Sequence, residues 1–211
     1  MPESGSAASI PVLAWPQSAG DLLLDCSNKA SDAGKQRSEL IVLSIVTPVT
    51  TLRDVARERV RLAIRQALGI LLDRSPASIP IISNPGQPVF VTLTQPEIGL
   101  SISHQPGLSL AAIRLGGSIG IDIMRPEAMP DWEQIAQEYL GDQAYRRLIR
   151  QPKAQQVVAF AHEWTRYEAS LKCLGLAISE WHRAPQAALL GCRVSALILP
   201  DGLVGALATP S

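Results

Sequence analysis

Residues 100–124, LSISHQPGLSLAAIRLGGSIGIDIM, carry the pattern that most constrains the fold. Short apolar and β-branched runs occur at Leu100–Ser103, Leu108–Leu115 and Ser118–Met124, and turn-forming residues separate them. The Gly116-Gly117 pair predicts a hairpin between the last two runs. This middle part of the chain is therefore predicted to be β structure, with a lobe boundary near Gly116-Gly117.

Helical periodicity occurs on both sides of this β region. Apolar residues recur at helical spacing from Thr51, an expected N-cap, to Leu72, and again over Lys153–Leu174, where Gly175 supplies a suitable end. Shorter elements complete the prediction: helices at Trp132–Tyr139 and Gln143–Ile149, and strands at Glu39–Val46, Ile79–Ser83, Val89–Leu93, Arg193–Leu199 and Leu203–Ala208, the last two around an Asp201-Gly202 turn. Since no internal repeat is visible, we predict an α+β fold.

Three segments follow from this pattern. Residues 1–37 form an irregular N-terminal segment with a candidate first strand, residues 38–116 an α+β lobe, and residues 117–211 a second α+β lobe. The length of 211 residues is sufficient for two small lobes, each with an apolar core.

Composition narrows the classes of function. The 19 basic residues balance the 19 acidic ones, so no net field attracts nucleic acid or an anionic membrane. No signal peptide or membrane span is expected at the start of the chain. Cys26, Cys173 and Cys192 are odd in number and lack metal-ligand spacing, which predicts free thiols in a reducing compartment. A cytoplasmic protein is therefore expected.

Ser103-His104 follows a predicted strand, so the hydroxyl and the imidazole are expected at a strand end near solvent. These groups suit a phosphate, because each donates a hydrogen bond to an anionic oxygen. The alternative is a turn in which Ser103 caps the backbone and His104 is merely exposed.

Asp122 is the one carboxylate in the apolar run Gly120-Ile121-Asp122-Ile123. An uncompensated charge there would be costly to desolvate, so Asp122 requires a cation or hydrogen-bond donors. A bound metal would satisfy it, and so would an ion pair with an arginine such as Arg125.

One row of the predicted Lys153–Leu174 helix combines apolar bulk with charge. Its members, spaced by four, are Phe160, Trp164, Glu168 and Lys172. An ordinary surface Glu-Lys pair, worth about 0.3–0.5 kcal/mol, is the alternative. That alternative explains neither Asp122 nor His104.

The order of these three motifs resembles that of the surfactin-type 4′-phosphopantetheinyl transferases. The third motif is WTRYEASLK, residues 164–172. Looser matches are Gly86-Gln87-Pro88, which resembles the Gly-Lys-Pro turn of the family, and Arg61, which stands where the family has an arginine. The resemblance implies a monomer with two similar α+β lobes related by pseudo-twofold symmetry, and a cleft between the lobes for coenzyme A and metal.

The resemblance also implies the chemistry. A serine of an acyl or peptidyl carrier protein, from fatty acid, polyketide or nonribosomal peptide synthesis, would attack the β-phosphorus of coenzyme A and release adenosine 3′,5′-bisphosphate. Glu168 is in addition a candidate general base for that serine. By this resemblance, Asp122 and Glu168 would ligate magnesium (Mg2+), and Lys172 and Arg61 would contact phosphate. Ser103 and His104 would bind the 3′-phosphate. Asp122, Glu168 and Lys172 would form the catalytic set, in the second lobe.

Four positions depart from the family pattern, one of them Ser101, which stands where the family has an asparagine. Met124 stands where the family usually has a second carboxylate, and a thioether is a poor magnesium ligand. Tyr167 and Gln87 each stand where the family has a lysine, and Arg166 replaces the charge at 167 only if it lies on the same helix face. Because magnesium commonly takes one or two carboxylates, Asp122 and Glu168 suffice for a weaker site.

Two alternatives to an active transferase remain. The first is a catalytically impaired homologue that binds coenzyme A or a carrier protein without turnover. The second is an unrelated α+β domain in which the motifs coincide by chance.

Overall fold

The computed structural model describes residue 10 and residues 12–15, 40–49, 52–82, 89–93, 96–200 and 202–211. These residues form two compact units, an N-terminal unit within Val12–Ile119 and a C-terminal unit comprising Gly120–Ser211 and Ile10. Both contain helices and strands, so the predicted α+β class is confirmed. Outside the described residues lie Thr51, the Gly86-Gln87-Pro88 turn, Asp201, Cys26 and most of the irregular N-terminal segment.

The N-terminal unit consists of one sheet, one long helix and a short ribbon. Its sheet has the strand order β1-β2-β6-β5, in which β1 and β2 are parallel and the other pairs antiparallel. Helix α1 packs on β2 and β6, while β3 and β4 form a separate antiparallel pair. In chain order the elements are β1 (Leu13–Trp15), β2 (Leu40–Thr47), α1 (Arg53–Leu72), a 3-10 turn (Pro76–Ser78), β3 (Ile81–Ile82), β4 (Phe90–Val91), β5 (Ile98–Gln105) and β6 (Gly107–Leu115).

The core of this unit lies between α1 and the sheet. Val60, Ala63, Ile64 and Leu68 of α1 are almost fully buried, as the helical periodicity predicts. They pack with the alternating strand residues Ile41, Leu43, Ile45, Ala111 and Ile113.

The C-terminal unit is a three-stranded antiparallel sheet of order β7-β9-β8 covered by a long helix, α4. Gly175, at φ 67, ends this helix as predicted, and the Leu176 amide donates to the Leu171 carbonyl at 2.9 Å. In chain order the elements are β7 (Gly120–Met124), α2 (Trp132–Ile135), a π-helical turn (Ala136–Leu140), α3 (Gly141–Ile149), α4 (Lys153–Cys173), α5 (Gln186–Leu190), β8 (Cys192–Ala196) and β9 (Val204–Pro210).

The hairpin predicted at Gly116-Gly117 is wrong. The structure instead forms a hairpin from β5 and β6, with Gln105 opposite Leu108 and Pro106-Gly107 as the turn. Gly107 has φ 90, a conformation that glycine adopts without strain and that a Pro-Gly turn requires. The strand Gly120–Met124 pairs with β9, which is distant in the chain and therefore not indicated by local turn signals.

Cys173 and Cys192, the two cysteines among the described residues, are free thiols, as predicted. Burial, followed by the neighbouring Cys173, raises the pKa of the Cys192 thiol to about 11. Within the described ranges, no helix is both long and apolar enough to cross a membrane.

Gly120 allows α4 to lie directly against β7. A Cβ at this position would lie 1.9 Å from the Ala169 carbonyl oxygen and 2.4 Å from the Cys173 nitrogen. Since strand side chains alternate, Asp122 and Met124 point to the same face as Gly120. The missing side chain of Gly120 therefore brings the Asp122 carboxylate to the surface of α4.

Gly120→Ala is expected to destabilise the protein by about 1–3 kcal/mol, because the helix backbone would have to move away from the strand. Urea unfolding followed by tryptophan fluorescence measures the loss. Gly191→Ala is the control, since its added Cβ would lie 3.3 Å from the nearest atom, the Ala188 carbonyl oxygen. We expect the control to change stability by about 0.5 kcal/mol or less. Similar losses in both variants would contradict the close approach at Gly120.

Candidate active site

Asp122, Glu168 and Lys172 come together in the C-terminal unit. The Lys172 Nζ atom lies 2.6 Å from Asp122 Oδ1 and 3.6 Å from Glu168 Oε2. Their side chains are 7% exposed for Asp122, 19% for Glu168 and 32% for Lys172. Two carboxylates from different elements thus share one ammonium group in a partly buried position, unlike an exposed helix-surface pair.

Trp164 orients the Glu168 carboxylate. Its indole Nε1 donates a hydrogen bond to Glu168 Oε1 at 2.8 Å, so the other oxygen of the same carboxylate, Oε2, lies towards Lys172. The sequence analysis did not identify this contact, although the spacing of four residues on one helix indicates it.

The electrostatics of Glu168 follow from this geometry. Burial and then the nearby Asp122 carboxylate raise the pKa of Glu168 above its ordinary value. The Lys172 ammonium and the Trp164 N–H oppose this rise, because both stabilise the ionised form. Glu168 therefore binds a proton more readily in the folded protein than it does in water.

The Asp122–Glu168 pair fits a small divalent cation by its donor chemistry. Carboxylate oxygens are the ligands that magnesium prefers, and two of them here already converge on one positive charge. Over the described ranges, no group of three or more His, Cys, Asp and Glu side chains is arranged to hold a metal. Among these residue types in the described ranges, Asp122 and Glu168 are the candidate ligands at this place.

Met124 and Tyr167 both belong to an apolar cluster. Met124 packs against the buried residues of α3, α4 and the π-helical turn. Tyr167 is 6% exposed, its hydroxyl donates to the Ser179 carbonyl, and its ring lies 6.1 Å from that of Trp164 and 6.4 Å from that of Trp181. Burial raises the pKa of the Tyr167 phenol.

Arg166 does not replace the charge missing at Tyr167. Two residues along an α-helix are about 200° apart, so Arg166 and Glu168 lie on opposite sides of α4. Arg166 lines a groove of ≈ 910 Å³ together with Glu163, Ser170 and Trp181. Asp122, Glu168 and Lys172 are not among the residues that line this groove.

Ser103 and His104 lie inside β5, in the N-terminal unit. Ser103 was expected near solvent, but it is only 6% exposed, because β5 continues to Gln105. His104 is exposed, and its Nδ1 lies 2.7 Å from Ser109 Oγ, which in turn lies 3.3 Å from Thr47 Oγ1. Three strands thus contribute to a polar chain that holds the imidazole.

Sequence reasoning missed Ser109 and Thr47. His104 and Ser109 are opposite each other in the β5–β6 register, so the correct hairpin would have identified Ser109. Arg61, also in the N-terminal unit, forms an ion pair with Glu58 of its own helix. The six predicted site residues therefore divide into Asp122, Glu168 and Lys172 in one unit and Ser103, His104 and Arg61 in the other.

Residues 118–197 match the family model of the 4′-phosphopantetheinyl transferase superfamily. The match covers less than half of the chain and contains Asp122, Glu168 and Lys172. No curated protein sequence matches the chain. Over this segment the chain is similar to that superfamily.

The raised pKa of Glu168 predicts that the wild type and Glu168→Gln differ in free energy of unfolding by an amount that depends on pH in metal-free buffer. As pH rises above 4.5, the ordinary value, unfolded Glu168 loses its proton while the folded protein retains it. The folded state then binds more protons, so the contribution of Glu168 to stability decreases with pH. The free energy of unfolding of the wild type, minus that of the variant, should therefore fall as the pH rises from 4.5 to the raised pKa of folded Glu168, and change little above it. Urea titrations at successive pH values measure it, and a difference that is constant or grows with pH would contradict the prediction.

Proposed function

We propose that this protein is a surfactin-type 4′-phosphopantetheinyl transferase. It would transfer the phosphopantetheine arm of coenzyme A to a serine of an acyl or peptidyl carrier protein and release adenosine 3′,5′-bisphosphate. The observation that carries the proposal is the convergence of Asp122, Glu168 and Lys172 within the segment that matches the superfamily model.

Asp122 and Glu168 would hold the magnesium ion. A bound magnesium ion would neutralise negative charge on the coenzyme pyrophosphate. Lys172 reaches the same place on a flexible stem and would contact a pyrophosphate oxygen with its ammonium group. All three side chains thus act on the group that is transferred and on its leaving phosphate.

Glu168 would also take the proton of the carrier serine. A carboxylate with a raised pKa is a stronger base than an ordinary one, which favours this role. The Trp164 N–H holds one of its oxygens, so the acceptor oxygen has a defined direction.

Ser103, His104 and Arg61 would bind the phosphates of coenzyme A from the N-terminal unit. The Ser109 hydroxyl fixes the His104 ring through Nδ1, which orients the remaining nitrogen of the ring. The two-lobed class is supported by the similar secondary structure of the two units. Each has a sheet and a long helix packed on it, of 20 residues in one unit and 21 in the other.

A catalytically impaired homologue is the second candidate. Two substitutions favour this candidate. Met124 stands where the family usually has a carboxylate, Tyr167 stands where it usually has a cation, and both lie in an apolar cluster. Such a protein would bind coenzyme A or a carrier protein without transferring the arm.

The transferase is tested by incubating several apo carrier proteins with this protein, coenzyme A and magnesium. Intact mass spectrometry is expected to detect a gain of about 340 Da, one phosphopantetheine, which is lost when the metal is chelated. Glu168→Gln should abolish the gain, because it keeps the volume and the Trp164 contact but removes the charge.

Glu163→Gln is the matched control for that variant. Glu163 lies on the same helix, pairs with Arg147 at 3.1 Å and lines the groove. It should transfer at the wild-type rate. Full activity of Glu168→Gln would exclude Glu168 from the mechanism, and coenzyme A binding without transfer to any carrier would favour the impaired homologue.

Met124→Glu should lower the magnesium concentration needed for half-maximal transfer. Position 124 lies two residues from Asp122 on the same strand face, so its carboxylate would add a third oxygen ligand. Transfer rates measured against magnesium concentration give the result. Met124→Gln, of similar size and uncharged, is the control, and an equal magnesium requirement in both variants would contradict the placement of residue 124.

A further inference from the structure

The position of the Lys172 ammonium group is the basis of a further inference. Nζ lies between the two carboxylates that would hold a metal, 2.6 Å from Asp122 Oδ1 and 3.6 Å from Glu168 Oε2. A divalent cation bound by the same oxygens would be in close contact with this ammonium group, and the two positive charges would repel each other. Lys172 and the metal therefore compete for one place unless the lysine moves.

If a divalent cation bound here with no other ligand, the charges of this site would not sum to zero. Asp122 and Glu168 contribute two negative charges and Lys172 one positive charge. A divalent cation would leave an excess of positive charge that the thioether of Met124, on the same strand face, does not reduce. An anion bound beside the metal would supply the missing negative charge and give Lys172 a partner.

Lys172 has a way to leave the carboxylates. Its side chain is 32% exposed, whereas that of Asp122 is 7% exposed, so the lysine can turn towards solvent while the carboxylate stays in place. A flexible four-carbon stem allows this change without movement of α4. A phosphate near the site would offer the ammonium group a new partner.

We propose that Lys172 couples the binding of metal to the binding of coenzyme A. In the free protein it pairs with Asp122 and Glu168 and opposes metal binding. When coenzyme A is bound, its pyrophosphate takes over the ammonium group, and both carboxylates become available to the metal. The inference rests on the proposed function, and its consequence is that metal and coenzyme bind cooperatively.

The test measures binding and requires no transfer. Free Mn²⁺ is followed by electron paramagnetic resonance in titrations of the wild type, with and without coenzyme A, and a protein-free titration corrects for Mn²⁺ bound by the coenzyme. We expect coenzyme A to increase the Mn²⁺ affinity of the wild type about tenfold or more, and Mn²⁺ to increase the affinity for coenzyme A by the same factor.

Lys172→Met should bind Mn²⁺ without coenzyme A several-fold more tightly than the wild type and should lose most of the coupling. Lys172→Gln, which keeps a polar end, serves as a second variant if the methionine variant unfolds. Lys153→Met removes an exposed lysine at the start of the same helix and should behave as the wild type.

The outcomes separate the inference from the proposed function. Equal Mn²⁺ affinity of the wild type with and without coenzyme A would overturn the coupling, as would a Mn²⁺ affinity unchanged in both Lys172 variants, even if transfer occurs. Failure of the wild type to bind coenzyme A under any condition would instead overturn the transferase itself.

Discussion

The C-terminal unit depends on the close approach of α4 to β7 at Gly120. A side chain there would overlap the Ala169 carbonyl oxygen, so the helix can rest on the strand only because residue 120 has none. Two residues further along the same strand face, the Asp122 carboxylate meets Lys172 at 2.6 Å. The geometry of the charged cluster is therefore a consequence of main-chain packing, and a larger residue at 120 would separate its members.

Burial of Asp122 sets the chemistry of its neighbours. A carboxylate whose side chain is 7% exposed must be paired, because an uncompensated charge there is costly to desolvate. Lys172 therefore has a structural role in the free protein as well as a proposed role towards phosphate. Burial and then the same negative charge raise the pKa of Glu168, so one strand residue acts on both the cation and the second carboxylate.

Local signals predicted the two long helices well and the strand pairing poorly, and they missed the short helix α5. Periodicity and Gly175 predicted α4 to within one residue, and the apolar stripe of α1 predicted its buried face. The hairpin was misplaced because Pro106-Gly107 and Gly116-Gly117 both qualify as turns, and the pairing of β7 with β9 joins segments far apart in the chain. This error also concealed Ser109, since a cross-strand partner of His104 can be identified only from the correct register.

Met124 and Tyr167 depart from the family pattern in a coordinated way. Both pack in one apolar cluster, with Met124 on its edge and Tyr167 buried within it. Relative to the family pattern, one negative charge is absent at 124 and one positive charge at 167, so the local net charge is unchanged. The two changes together make the surroundings of the charged cluster more apolar, while Asp122, Glu168 and Lys172 remain in contact.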